Sequence, residues 1–288
     1  MNIKGIHVAL VTPFNDDYSV DYDALVKLIE FQLENGINKF VVCGSTGEGT
    51  LLTNDERRKL TDCAIDVVAG RGLVGVGCSS GSIDEAISLM SLASDCHADF
   101  ALVAPPYYIK PTQDGIVGFY KELSRRINIP IIAYNIPGRV SVNMQLETLL
   151  KISKIRNIVG LKDATTHFDV MSQLASQSGE FAILSGDDLT FPASLMYGSS
   201  GTISAIANYC PKLIIEFFNL WKSGHTALLP DIVRKLEIVS RGASVVSNPI
   251  PLKYLLSKTG LIKNILRLPL LPLTQAQTEI VDTIISSS

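Results

Sequence analysis

Short apolar segments rich in β-branched residues recur along the chain, and a longer amphipathic segment separates each of them from the next. Their spacing, about 28 residues, is that of a parallel strand followed by a crossover helix and short loops. We count eight such segments, at Val8–Val11, Lys39–Cys43, Leu73–Val76, Phe100–Val103, Ile131–Tyr134, Ile158–Leu161, Ala182–Leu184 and Thr202–Ser204. Eight βα units predict an α/β fold whose strands close into a (β/α)8 TIM barrel.

Within these segments the apolar residues do not alternate with polar ones, which is typical of strands covered on both faces. Beyond about Ile206 the pattern predicts helices alone. They span Pro211–Lys222, Ala227–Arg241, Pro249–Ser257 and Thr274–Ile285. We therefore expect a barrel over residues 1–224 and a C-terminal helical region over residues 225–288.

Two capping boxes mark the starts of helices within the predicted barrel. They are Thr53-Asn54-Asp55-Glu56 and Ser82-Ile83-Asp84-Glu85, in which the hydroxyl and the glutamate can each bond a backbone N–H of the first turn. The segments before them are therefore strand-to-helix loops. Because such loops build the active site of a TIM barrel, polar residues that follow the strands are the candidates for chemistry.

Composition narrows the class of protein. Of the 288 residues, 47% are apolar and 18% charged, less than the roughly 25% of an average soluble protein, so much of the chain must be buried. The net charge of −3 and the lack of a basic run argue against a nucleic-acid partner. No apolar run is long enough to span a membrane and the five cysteines form no Cys-x-x-Cys pair, so we expect a cytoplasmic protein with free thiols.

Lys162 directly follows the sixth predicted strand and should point into the mouth of the barrel. Burial disfavours the charged form of a lysine, and a neutral amine can attack a carbonyl carbon to form a Schiff base. An ion pair with Asp163 or with a neighbouring carboxylate is the alternative interpretation, and position alone does not decide between the two.

The second predicted strand ends in a glycine-rich loop, Gly44-Ser45-Thr46-Gly47-Glu48-Gly49. Its backbone N–H groups and hydroxyls, followed by a helix start, favour an anion such as a carboxylate or a phosphate. The loop lacks the Gly-Lys-Ser/Thr ending of a P-loop, and the glycines at Gly75 and Gly77 miss the dinucleotide-binding spacing.

Other polar residues at strand ends allow two interpretations each. Tyr134 could transfer protons or be an ordinary tyrosine of the barrel rim. Arg139 could bind a carboxylate with both arms of its guanidinium or form a surface ion pair. Asp187 and Asp188 could bind a metal, although capping of the following helix is the more common use of such residues. The histidines lack ligand spacing, so we expect no zinc site.

Seven short motifs follow one another along almost the whole chain. They are Val11-Thr12-Pro13-Phe14, Gly44-Ser45-Thr46-Gly47-Glu48, Pro106-Tyr107-Tyr108, Tyr134-Asn135-Ile136-Pro137, Gly160-Leu161-Lys162-Asp163-Ala164, Ser185-Gly186-Asp187-Asp188 and Asn248-Pro249-Ile250-Pro251-Leu252-Lys253. Together they resemble the pyruvate-dependent class I aldolase family that includes dihydrodipicolinate synthase and N-acetylneuraminate lyase.

The resemblance implies a role for each matching position. Lys162 corresponds to the lysine that forms a Schiff base with pyruvate, so neither a metal nor another cofactor is expected. Thr46 matches the site of the pyruvate carboxylate, Ile203 a position whose carbonyl faces pyruvate, and Gly186 a further substrate-binding position.

A proton relay is also implied. Tyr134 matches the proton donor and acceptor, and Ser45 and Tyr108 match its other members. In the synthases this second tyrosine is donated across a tight dimer interface, so we expect a homo-oligomer, usually a dimer of dimers.

Arg139 distinguishes the subfamilies, since the synthases use this arginine to bind L-aspartate 4-semialdehyde and the sialic acid lyases lack it. Ser45 and Val140 stand where the synthases usually have threonine, and Val140 loses the hydroxyl. Two other functions stay open. One is a different pyruvate-dependent aldolase, acting on a 2-keto-3-deoxy sugar acid or on N-acetylneuraminate. The other is a catalytically silent barrel that binds a keto acid as a sensor or serves as an assembly partner.

Feedback inhibition by lysine is expected to be weak or absent. Tyr107 and Glu85 match the allosteric site of the sensitive enzymes. Asn54, Arg57 and Gly81 stand where those enzymes have two histidines and an asparagine.

Overall fold

The computed structural model describes residues 1–287. Its strands are β1 (Gly5–Ala9), β2 (Lys39–Val42), β3 (Leu73–Gly77), β4 (Phe100–Val103), β5 (Ile131–Asn135), β6 (Ile158–Asp163), β7 (Ala182–Ser185) and β8 (Gly201–Ser204). They form a closed barrel in chain order, as the sequence predicts. Nearly every strand residue is buried, which confirms strands covered on both faces.

Twelve helices occur among the described residues. They are α1 (Tyr22–Glu34), α2 (Asn54–Val68), α3 (Ile83–Asp95), α4 (Gln113–Arg126), α5 (Pro137–Val140), α6 (Leu146–Ile152), α7 (Phe168–Gln177), α8 (Phe191–Ser194), α9 (Pro211–Lys222), α10 (Leu229–Gly242), α11 (Ile250–Lys258) and α12 (Gln275–Ile285). The last four lie within two residues of their predicted bounds. None of the helices in residues 1–287 is long and apolar enough to cross a membrane.

The first predicted strand is the least accurate. Val8–Val11 was expected, whereas β1 spans Gly5–Ala9. The backbone N–H of Val11 donates to the side chain of Asn208 at 3.1 Å, so the strand ladder has already ended there. Apolar character continues past the strand because Leu10 and Val11 remain buried, and the sequence pattern could not separate the two.

One of the two predicted capping boxes is complete. Thr53 and Glu56 exchange both hydrogen bonds at the start of α2. At α3, Ser82 accepts from the N–H of Glu85 as expected, but the Glu85 carboxylate accepts from the Ser80 hydroxyl instead of the Ser82 N–H. The second box is therefore only half formed, because the Ser82 N–H donates instead to the Ser80 hydroxyl oxygen at 3.2 Å.

The chain separates into two compact units. The first comprises Met1–Gly5 and Val74–Ile203, and within it α4 packs against α3 and α6. The second comprises Ile6–Leu73 and the residues from Ser204 onward, and within it α10 packs against α9 and α12. The sequence-based division between residues 224 and 225 does not coincide with the bounds of these units and stays a prediction.

Candidate active site

Lys162 lies inside β6, one residue before its end. It pairs in register with Tyr134 on β5 and with Leu184 on β7. Its side chain is buried, with 5% of the residue exposed. The sequence placed Lys162 just after a strand, and the hydrogen-bonded ladder in fact continues through Asp163.

Burial sets the protonation of this amine. Desolvation lowers the pKa of Lys162 from 10.5 to about 8, Asp188 and Asp187 oppose that shift, and Arg139 adds to it. With a pKa near 8, about a tenth of the amine is neutral at pH 7, against well under a thousandth for an ordinary lysine. Lys162 is therefore prepared to act as a nucleophile.

The ring of Tyr134 lies close to the Lys162 amine. The Lys162 Nζ atom lies 4.5 Å from the centroid of the Tyr134 ring, and 7% of Tyr134 is exposed. Behind it, the Tyr120 hydroxyl donates to the Val103 carbonyl at 2.7 Å and lies 3.4 Å from the backbone nitrogen of Tyr134. These contacts hold a phenol beside the nucleophile.

Asp163 does not serve as the ion-pair partner of Lys162. Successive strand residues point to opposite faces, so Asp163 lies on the other side of the sheet. There its carboxylate accepts from Asn135 Nδ2 at 2.8 Å and from Thr165 Oγ1 at 2.7 Å. Burial raises the pKa of Asp163. Within residues 1–287 the lysine has no ion pair with Asp163, whereas Asp188 and Asp187 act electrostatically on its amine. Pairing with a neighbouring carboxylate therefore stays a prediction.

Gly186 gives the Lys162 side chain its space. A Cβ atom at Gly186 would lie 3.0 Å from Lys162 Cε and 3.1 Å from the backbone nitrogen of Ala164. The next residue, Asp187, accepts from the N–H and hydroxyl of Thr190 at 2.9 and 2.8 Å, which closes the turn before α8. Asp187 therefore holds the turn that leads into α8 but does not cap the helix, whose N-cap is Thr190 without a side-chain hydrogen bond.

Three other predicted residues of the first unit have different surroundings. Arg139 is exposed on the short helix α5, whereas its neighbour Val140 is buried. Ile203 is buried in β8. Tyr108 is 92% exposed, and its backbone has a φ of 75°, in the left-handed region.

The remaining two, Ser45 and Thr46, lie in the loop after β2, within the second unit. Ser45 is exposed, while Thr46 is buried and its hydroxyl accepts from Asn248 Nδ2 at 2.9 Å. Two N–H groups of this loop, those of Glu48 and Gly49, already donate to loop carbonyls. The cradle that the sequence predicts for an anion therefore has fewer backbone donors than its length suggests.

Sequence reasoning missed the surroundings of Glu48. This residue and Lys253 form a fully buried ion pair, and Arg267 adds a backbone hydrogen bond. Both members of the pair appear in the motifs, yet no spacing rule connects residues so distant in the chain. Among residues 1–287, no group of three or more histidine, cysteine, aspartate or glutamate side chains could hold a metal ion.

Comparison with known proteins agrees with the barrel fold. Residues 2–288 match the dihydrodipicolinate synthetase family. The 4-hydroxy-tetrahydrodipicolinate synthase of Thermodesulfovibrio yellowstonii is 40% identical over 277 residues, covering 96% of this chain and 95% of that protein.

The solved structures that resemble this chain are also dihydrodipicolinate synthases. A chloride-inhibited dihydrodipicolinate synthase from Acinetobacter baumannii, complexed with pyruvate, has a TM-score of 0.95 and 35% identity, and the match covers 99% of this chain and 98% of that one. A monomeric dihydrodipicolinate synthase variant has a TM-score of 0.95 and 34% identity, with coverage of 98% and 96%. Since sequence and structure match over nearly the full length, the chain belongs to the dihydrodipicolinate synthetase family.

Proposed function

We propose that this enzyme is a lyase of lysine biosynthesis that condenses pyruvate with L-aspartate 4-semialdehyde to give 4-hydroxy-tetrahydrodipicolinate. The observation that carries the proposal is the buried Lys162, whose pKa is lowered to about 8, next to the phenol of Tyr134. Binding alone would need neither a nucleophilic amine nor a proton carrier, so a silent barrel is disfavoured.

The chemistry follows from the amine. Neutral Lys162 attacks the keto carbon of pyruvate, and loss of water gives an imine. Once protonated, the imine nitrogen withdraws electrons, so a methyl proton can leave and the resulting enamine carbon can attack the aldehyde. Tyr134 carries protons during these steps, and the covalent imine makes a metal or another cofactor unnecessary.

Four further residues receive roles that rest on the family resemblance. Thr46 binds the pyruvate carboxylate, Ile203 and Gly186 border the bound pyruvate, and Ser45 joins the proton relay. The structure supports the role of Gly186, because its lack of a side chain leaves room for Lys162.

The proposed Schiff base is tested by borohydride reduction in the presence of pyruvate. We expect one adduct, located at Lys162 by peptide mass analysis, and none in Lys162→Met. An adduct at another lysine, or none in the wild-type protein, contradicts the mechanism.

Arg139 tests the choice of aldehyde. If it binds the carboxylate of the semialdehyde, Arg139→Ala should raise the KM for that aldehyde about tenfold or more, while adduct formation with pyruvate alone is unchanged. An unchanged KM would favour a sugar-acid aldolase, whose aldehyde carries no such carboxylate.

Tyr108 supports assembly into a homo-oligomer, proposed as a dimer of dimers. A relay tyrosine that is 92% exposed in the single chain needs a second copy to enclose it. If it acts across the interface, mixing inactive Lys162→Met with inactive Tyr108→Phe should restore activity, because one site type then has both groups. No recovery after subunit exchange contradicts this arrangement, and a monomeric relative shows that it is not universal in the family.

A cytoplasmic location completes the proposal. All five cysteines are free, and free thiols persist in a reducing compartment. Fractionation of the source cells, followed by detection of the protein, tests this location.

A further inference from the structure

A fully buried ion pair includes one residue of the loop that carries Ser45 and Thr46. Glu48 Oε1 and Lys253 Nζ are 2.5 Å apart, and both side chains have an exposure of 0%. Glu48 belongs to the loop after β2, whereas Lys253 comes from α11 in the C-terminal helical region. The pair therefore joins the loop to a segment that lies far along the chain.

Further contacts fix both members of the pair. The backbone N–H of Arg267 donates to the second carboxylate oxygen of Glu48 at 3.0 Å. Lys253 also donates to the carbonyl of Ile265 at 2.8 Å. The ring of Phe14 faces both cations, with its centroid 4.1 Å from Lys253 Nζ and 4.5 Å from the Arg267 guanidinium carbon. Such contacts compensate the charges for their lost hydration.

The loop backbone needs this support because its conformation is demanding. Glu48 has a φ of 52°, a left-handed conformation that residues with a Cβ atom rarely adopt. At Gly49, a Cβ atom would lie 1.9 Å from the Cys43 carbonyl oxygen. The loop thus folds tightly on itself, and Glu48 can keep its unfavourable backbone angle only while its side chain is held.

Thr46 is oriented from the same C-terminal region. Asn248, just before α11, donates to the Thr46 hydroxyl oxygen at 2.9 Å. A hydroxyl that accepts one bond still has its hydrogen to donate, so this contact directs the hydrogen toward another acceptor. Thr12 fixes the next residue, since its hydroxyl donates to the Gly47 carbonyl at 2.6 Å.

Stability alone is a poor reason for this arrangement. Removing two charges from water costs so much that apolar side chains of equal volume often stabilise a core as well or better. In some proteins, buried polar or ionic groups instead select a single conformation of the chain that carries them. The site therefore gains a fixed loop more than a stable core.

We propose that Glu48 and Lys253 are positioning residues for the substrate carboxylate: their ion pair fixes the loop after β2 so that Thr46 presents its hydroxyl to pyruvate. This inference rests on the proposed function, because it requires Thr46 to bind the pyruvate carboxylate. Neither member of the pair touches the substrate in this proposal.

The test compares pyruvate concentrations that give half-maximal borohydride trapping at Lys162. The main variant is Glu48→Gln combined with Lys253→Met, which removes both charges together and leaves no lone buried charge. Lys258→Met is the matched control, since Lys258 lies on the same helix but forms an exposed pair with Asp282. Circular dichroism and thermal unfolding establish that each variant is folded.

In the folded double variant, we expect the half-saturating pyruvate concentration to rise about tenfold to a hundredfold, while the adduct at saturation stays complete. Lys258→Met should match the wild type. If the double variant does not fold, Glu48→Gln alone is compared with the wild type at pH 9, where the Lys253 amine has lost most of its charge because burial lowers the pKa of Lys253 to about 8.

Two outcomes overturn the inference, and they are distinguishable. A folded variant with lowered thermal stability but an unchanged half-saturating concentration shows a merely structural pair and leaves the proposed function intact. Absence of any adduct in the wild type refutes the proposed function, and the inference falls with it.

Discussion

The Nζ atom of Lys162 lies 4.5 Å from the centroid of the Tyr134 ring, and the two residues are paired in register on neighbouring strands. An aromatic face attracts a cation and so favours the charged lysine. Desolvation nevertheless dominates, because the pKa of Lys162 is lowered to about 8. The strand pairing thus supplies a phenol without cancelling the effect of burial on the amine.

Adduct formation should depend on pH in a way that reports this amine. Only neutral Lys162 attacks pyruvate, so the trapping rate at low pyruvate should rise with pH through about 8 and level off above it. Rapid-quench trapping between pH 6 and pH 10 measures the profile. A rate that still rises toward the ordinary lysine pKa of 10.5 would show an amine that is not desolvated.

Removing the buried charge should stabilise the protein while abolishing activity. Lys162→Met keeps most of the side-chain volume, and we expect a gain of up to about 3 kcal/mol in the free energy of unfolding at pH 7. The folded pKa lies below the unfolded one, so wild-type stability should rise between pH 8 and pH 10.5 and approach that of the variant.

Urea unfolding of both proteins at pH 7 and pH 10 makes this comparison. Titration of Lys253 changes the free energy of unfolding of both proteins equally, so it cancels from the difference between the wild type and Lys162→Met. A variant less stable than the wild type at pH 7 contradicts the expected cost of burying Lys162.

Tyr134→Phe removes the hydroxyl and keeps the ring, so it distinguishes their roles. The ring keeps its contact with Lys162, so the fold and the pKa of the amine should change little. Loss of the proton carrier should slow adduct formation and turnover about a hundredfold or more. Single-turnover trapping measures the first effect, and a rate equal to that of the wild type would exclude the hydroxyl from proton transfer.

Gly186→Ala should disturb Lys162 through sterics alone. The new Cβ atom would lie 3.0 Å from Lys162 Cε, so the lysine must move and we expect at least a tenfold loss of kcat with about 1–3 kcal/mol of destabilisation. Gly118→Ala is the control, because it adds a Cβ atom to α4 with nothing within 4 Å and should slightly increase stability. Equal activity of the two variants would contradict the steric argument.

Inhibition by lysine is expected to be weak or absent. Arg57 replaces a residue of the allosteric site in sensitive enzymes, and here its buried guanidinium donates to the Gly49 carbonyl at 2.5 Å. It is thus committed to the loop after β2. A lysine titration of the wild-type activity measures the effect, and strong inhibition at low concentrations would contradict the prediction.

The sequence was most informative where structure is local. Eight strands and the start of α2 follow from apolar runs and one capping box, since each depends on residues within a few positions. Lys162 was found for a similar reason, because it directly follows the apolar run Ile158–Leu161. Lys162 lies beside the Tyr134 ring and not beside Asp163 because successive strand residues point to opposite faces of the sheet. An uninterrupted apolar run does not show this alternation.

Pairings between distant residues could not be predicted. Arg267 and Glu48 are separated by 219 positions, and neither residue carries a local sign of the other. At Ser80 and Glu85 the failure is of another kind. There the Glu85 carboxylate accepts from the Ser80 hydroxyl, while the Ser82 hydroxyl accepts from the Glu85 backbone N–H. A capping-box pattern does not take account of a second serine nearby.

The contacts of Glu48 also set an order of events during synthesis. Arg267 is made 219 residues after Glu48, so at about 5–20 residues per second the glutamate waits roughly 10 to 40 seconds for this partner. Until then its carboxylate stays hydrated, and the left-handed turn that it stabilises has no support. A nascent chain therefore carries Lys162 for several seconds or more before Arg267 can fix the loop after β2, and we expect activity only after Arg267 has been synthesised.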